Sequence, residues 1–261
     1  MKKYLIATLT GLMAITMIQA QEYKVAKTTG KLVLNLSSVK VEGYNGNEIV
    51  FSSAKENKEV DERAKGLRPI SGSGFVDNTG LGISVEDKGA TVEVNQVSPK
   101  DGQIKVMVPK GVAIVYSFSK VMNNGKAYFK NIESEIEISV QYNSTELENI
   151  TGPVSAKAVY GSIDAKFNQN IKGPISIVSI YGHVDVSIPA TTKANLKLNT
   201  SYGEILASSD LKIEIEKNPG KDMDPDLVRY NNNNVKGKIG GGGTELTLRS
   251  DYNKIYLRKS N

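Results

Sequence analysis

A short block recurs along this chain at a fixed step. VYGSIDA at 159–165, IYGHVDV at 180–186 and SYGEILA at 201–207 lie 21 residues apart. The flanking residues keep the same step. Val154, Ile175 and Leu196 align, as do Ala156, Ile177 and Leu198, and then Ala158, Ser179 and Thr200. Tyr160, Tyr181 and Tyr202 follow, each with a glycine behind it: Gly161, Gly182 and Gly203. A related unit lies upstream with Tyr142 and Asn143, and another lies downstream of an interruption with Tyr252 and Asn253. Apolar residues alternate on both sides of the Tyr-Gly or Tyr-Asn pair. A period of two is the pattern of strands with one buried face. Each unit therefore reads as strand, corner, strand.

Units of about 20 residues that cannot bury a face alone must stack on one another. The expected fold is all-β: a right-handed β-solenoid or β-roll built from rungs of about 20 residues. At most one short helix is expected, near 56–66, where Val60, Ala64 and Leu67 fall at helical spacing. Gly and Asn alternate at the corner position, and these residues tolerate a left-handed backbone. That predicts a left-handed corner, with the tyrosine filling the core beside a column of small residues. The structural corner residues are Tyr142, Asn143, Tyr160, Gly161, Tyr181, Gly182, Tyr202, Gly203, Tyr252 and Asn253.

The start of the chain, MKKYLIATLTGLMAITMIQA, has two lysines, a short apolar run and a closing small residue. This is the layout of a secretory signal peptide. The expected organisation is a leader over 1–20 and one β-repeat domain over 21–261. Within it, 21–110 reads as irregular N-terminal strands and 111–261 as regular rungs. Residues 217–243, rich in Pro, Asn and Gly, read as a surface-loop insertion. No other stretch is apolar enough for a spanning helix, so no membrane span is expected after cleavage. The formal net charge is +5. Losing Lys2 and Lys3 gives 5 − 2 = +3, and the remaining cations are scattered among acids. Nucleic acid is therefore not an expected partner. The absence of cysteine excludes disulfides and thiolate metal sites.

Several residues are of types that could carry chemistry. His183 is the sole histidine and falls at an outward position. Asp222, Asp224 and Asp226 alternate like the opening of a calcium loop. However, Leu227 and Asn233 stand where that loop needs a glycine and a closing glutamate. Asp164 and Asp185 share one column, as the carboxylates of a β-helical glycosidase would. Neither Ser162, His183 nor Glu204 in the next column completes such a site. Gly240–Gly243 lacks the lysine and helix of a phosphate loop and reads as a hinge before the last rung. No catalytic, cofactor-binding or metal-ligating residues are assigned, and the chain is read as a non-enzyme.

The signal peptide, SVKVEGYNGNEIVF at 38–51, IKVMVPKG at 104–111 and the Tyr-Gly corners together resemble a bacterial family. Its members are exported, adhesin-like β-strand-repeat proteins carrying a domain of unknown function. The resemblance implies a β-solenoid and no transferable site residue. It makes the chain an exported protein of the periplasm, cell surface or medium, with an envelope protein or glycan as partner. The alternatives are a β-helical carbohydrate-active enzyme and a structural or signalling envelope protein.

Overall fold

In a computed structural model, residues 21–53, 62–98, 102–121, 125–216 and 233–260 are described. The expected leader and the Asp222–Asp224–Asp226 motif lie outside them. So does most of the expected helix, of which a 3-10 turn at Glu62–Ala64 falls among the described residues.

Two long sheets face each other across one hydrophobic core. The strands come mostly in pairs, one for each sheet. After β1 (Glu22–Ala26), the first rung is β2 (Gly30–Asn35) and β3 (Val39–Tyr44). A turn at Asn45-Gly46 leads to β4 (Glu48–Ser53), and β5 (Ile83–Asp87) follows later. The next rungs are β6 (Thr91–Gln96) with β7 (Ile104–Pro109), and β8 (Val112–Phe118) with β9 (Lys126–Lys130). Then come β10 (Ile136–Val140) with β11 (Ser144–Ile150), β12 (Val154–Ala158) with β13 (Ile163–Phe167), and β14 (Ile175–Ser179) with β15 (Val184–Pro189). The chain ends with β16 (Ala194–Thr200) and β17 (Ile205–Ala207), then β18 (Ile213–Ile215), β19 (Asn233–Ile239), β20 (Thr244–Ser250) and β21 (Ile255–Ser260).

Rungs stack in parallel, and the columns read from the sequence are in register. Val154 pairs with Ile175, Ile175 with Leu246 and Leu246 with Leu196. All four are buried. The alternation inside each strand fixes this, because a slip of one residue would turn every apolar side chain to solvent.

The order of the rungs in space is not the order in the chain. In one sheet β2 lies between β6 and β8, and in the other β3 lies between β7 and β9. Likewise β20 lies between β14 and β16, and β21 between β15 and β17. The first and the last rung are therefore each second from an end of the stack. Antiparallel strands close the ends: β5 beyond β6, β4 and β1 beyond β7, and β19 and β18 beyond β16.

Two expectations are corrected here. The N-terminal part is not irregular, since β2–β3 and β6–β7 are rungs of the same kind as those after them. The insertion is not loop throughout, because its residues 233–239 form β19 along β16. The glycine run that follows carries the chain over the start of β16 into β20. Gly240, Gly241 and Gly242 have φ of 60°, 83° and 93°, which side chains rarely adopt. At Gly243 a Cβ would lie 2.5 Å from the carbonyl oxygen of Lys193. The run is a tight crossover, and each of its glycines is needed for that bend or that approach.

The glycine-rich stretch before β5 is an ordered loop around Asp77. Its carboxylate accepts hydrogen bonds from the backbone N–H of Thr79, Gly80 and Gly82 and from the Thr79 hydroxyl.

Candidate binding surface: a tyrosine ladder at the corner

The corner lies between the two strands of each rung, so the alternation of one strand does not carry through it. Ala158 is buried, Tyr160 is exposed and Gly161 is buried again. The glycine, not the tyrosine, takes the inward place. The expectation of core tyrosines is thereby overturned: Tyr160, Tyr181, Tyr202 and Tyr252 are 53, 46, 62 and 52% exposed. Together with half-buried Tyr142 they form a ladder of rings on the outside of the molecule.

The ladder follows the spatial order of the rungs. Tyr142 stacks on Tyr160, Tyr160 on Tyr181, Tyr181 on Tyr252 and Tyr252 on Tyr202. The ring centroids are 4.9–5.0 Å apart and the planes are within 13° of parallel. The pitch is that of hydrogen-bonded strands. The three inner rings have both faces covered by neighbours. They show solvent only their edges and hydroxyls.

The left-handed corner is also corrected. Gly161, Gly182 and Gly203 are not among the positive-φ residues. They are glycines because the neighbouring rung comes too close for a side chain. A Cβ on Gly161 would lie 1.8 Å from the Asn143 carbonyl oxygen, and one on Gly182 would lie 2.2 Å from that of Gly161. The asparagines of this column instead reach a neighbour through their amides. Asn143 is fully buried and donates to the Ser37 carbonyl and the Tyr116 hydroxyl. Burial pushes the Tyr116 phenol above its usual range, so it stays protonated. Asn253 donates to the carbonyl of Tyr181.

The small column does more than leave room. The Ser179 hydroxyl donates to the Gly161 carbonyl at 2.8 Å and accepts from the Gly182 N–H at 3.0 Å. Ser250 donates to the Gly182 carbonyl, and Thr200 accepts from the Gly203 N–H. Each hydroxyl ties its own corner or the next one and satisfies backbone groups that leave the strand ladders there. A hydroxyl recurring at a buried position was the sequence signal for this role.

The other candidate residues are dispersed. His183 is outward, as expected, and its Nε2 lies 2.8 Å from Asp164. Asp185 pairs with Asp164 in register, and both its oxygens accept from Arg258 Nε at 2.8 and 2.9 Å. Arg258 also lies over the Tyr256 ring, 5.1 Å from its centroid. Each acid thus has its own cationic partner or histidine on an open strand surface. The Ser162 hydroxyl accepts from the His183 backbone N–H.

Residues 2–224 match the model of the Toastrack DUF4097 family. The chain belongs to this family. No curated protein matches the sequence. A solved structure, a "putative cell adhesion protein" from Clostridium sporogenes ATCC 15579, is similar in outline. It shares 12% identity with a TM-score of 0.45, over 93% of this chain and 100% of that one. Among the described residues of the Toastrack chain, no helix is long and apolar enough to cross a membrane.

Proposed function

We propose that this Toastrack chain is an exported, non-enzymatic binding scaffold of the cell envelope, and that its tyrosine ladder is the contact surface. The observation that carries this reading is the row of five stacked tyrosines, four of them exposed, on a rigid stack of strands. Tyrosine gives large contact area at low entropic cost and is enriched where proteins meet. A rigid row at a fixed pitch needs no further ordering on binding. The covered faces of the inner rings oppose sugar stacking along the row, since that mode needs a free face. The edges and hydroxyls suit another envelope protein. Export is supported by the lysine-led apolar leader.

The test is Tyr181→Ala in the chain from residue 21. Two stacks are lost, each worth about 0.5–1.5 kcal/mol beyond area burial, so stability should fall by only about 1–3 kcal/mol. Capture of a protein partner from an envelope fraction should fall at least fivefold. Tyr128→Ala, at a half-buried tyrosine on a strand away from the ladder, should leave capture unchanged. Equal capture by the wild-type and Tyr181→Ala proteins would remove the ladder from the binding surface.

A further inference from the structure

The outer face of the sheet that carries β14, β20, β16 and β19 holds a second feature, separate from the ladder. A shallow depression of about 530 Å³ crosses these four strands. Its lining includes Lys197, Lys236 and Arg249, one cation from each of three neighbouring strands. Asn199, Asn234 and Thr247 stand between them. Register sets two rows. Thr247 pairs with Lys197 and Lys197 with Lys236, while Arg249 pairs with Asn199 and Asn199 with Asn234. Each of the three strands thus presents one cation and one neutral hydrogen-bonding group, and Lys197 and Lys236 stand side by side at strand spacing.

Among the described residues no carboxylate lines the depression. Lys197 meets Glu245 at 2.9 Å in an exposed pair, and Arg249 meets half-buried Asp251 through two hydrogen bonds of 2.7 and 3.0 Å. The exposed lysine pair holds weakly and gives way to a better-placed anion, whereas the two-pronged Arg249 pair is held more firmly. Lys236 has no ion-pair partner among the described residues. The cationic strip continues beyond the depression. Lys238 follows on β19, and Lys157 lies in the row of Val178 and Arg249.

The shape selects among anions. The site is open and spread over four strands, so a compact ion would keep most of its water there. Among the described residues it has no aromatic platform, which single-stranded nucleic acid would use for its bases. Cations one strand apart, with amide and hydroxyl groups beside them, suit a chain of hydroxyl-bearing units with an anionic group on successive units. We infer that this face binds a linear acidic polysaccharide lying across β14, β20, β16 and β19. Lys197, Lys236 and Arg249 hold its charges, and Asn199, Asn234 and Thr247 hold its hydroxyls.

The experiment titrates the chain from residue 21 with oligogalacturonate, neutral dextran and inorganic polyphosphate at low salt. Oligogalacturonate should bind and dextran should not. Binding should weaken as added salt screens the exposed cations. Lys236→Glu should lower the affinity at least tenfold with the melting temperature unchanged. Lys105→Glu, on the outer face of the other sheet, should leave it unaltered. No binding of oligogalacturonate, or an equal loss in both variants, would overturn the proposal. Tighter binding of polyphosphate than of oligogalacturonate would overturn the sugar part and leave a phosphate polymer as the ligand. Because the ladder is untouched in Lys236→Glu, loss of this site and loss of the protein contact are separate results.

Discussion

A chain that stops after Gly243 should not fold cooperatively. The lost segment forms β20 and β21, which lie inside the stack and not at its end. Without them β14 and β15 lose one neighbour each, and β16 and β17 lose the strands that join them to the rest. Leu246, Leu248, Ile255 and Leu257 leave the core with them, each at most 1% exposed. At about 1.5–3 kcal/mol for each side chain, the sum is about 6–12 kcal/mol. That is comparable to the whole stability of an ordinary domain, about 5–15 kcal/mol. In a solenoid stacked in chain order the same cut would remove one terminal rung and one interface. A thermal melt followed by circular dichroism separates the two. A cooperative transition within a few degrees of the full chain would contradict the interleaved order.

Gly161→Val should be the most damaging single substitution at the corner. Its Cβ would lie 1.8 Å from the Asn143 oxygen and 2.5 Å from the carbon of that carbonyl. Both atoms are backbone, so relief requires moving one rung against the next. Overpacking costs about 1–3 kcal/mol when side chains can yield and more when they cannot. We expect about 3 kcal/mol or more, a fall in melting temperature of at least about 6 °C for a chain of this size. Gly161→Ala and Gly161→Asn should also destabilise, because the clash begins at Cβ. The left-handed corner would instead have made asparagine harmless. A Gly161→Asn protein that melts with the wild type would restore that explanation.

The strands and their register were legible in the sequence because alternation is enforced by burial. Val154, Ile175 and Leu196 had to share a column, and they do. The corner was not legible by the same rule. Parity counts residues along an extended strand, and Tyr160 lies two residues beyond the end of β12, where the backbone bends. Counting through the bend placed the ring in the core. The glycines misled for a related reason. Gly is selected both by positive φ and by close approach of a neighbouring backbone, and a sequence shows only that a side chain is missing. The order of the rungs left no trace either. The unit at 244–260 matches the column pattern equally well beside β14 or beyond β16. Pairing of β19 with the outer edge of β16 decides it, and that strand lies in a stretch whose composition reads as loop. The basic depression depends on this order, since Arg249, Lys197 and Lys236 become neighbours only when β20, β16 and β19 lie side by side.

The antiparallel strands at the two ends have a consequence for the company this molecule keeps. Parallel strands of similar sequence, stacked with side chains in register, are also the arrangement of a growing fibril. Such a stack stays finite only if its last strand refuses a further copy. Here β4 and β5 at one end, and β19 at the other, run against the direction of the rungs. Beyond β4 and β19 the direction turns back in β1 and β18, but these strands lie outside the repeat, so its pattern is broken before solvent is reached. Of the edges that keep the rung direction, β17 and β18 are three residues long each, and β1 is five residues long and carries Glu22 and Lys24. A second molecule set end to end finds no uninterrupted rung to extend, so the repeat does not template its own continuation.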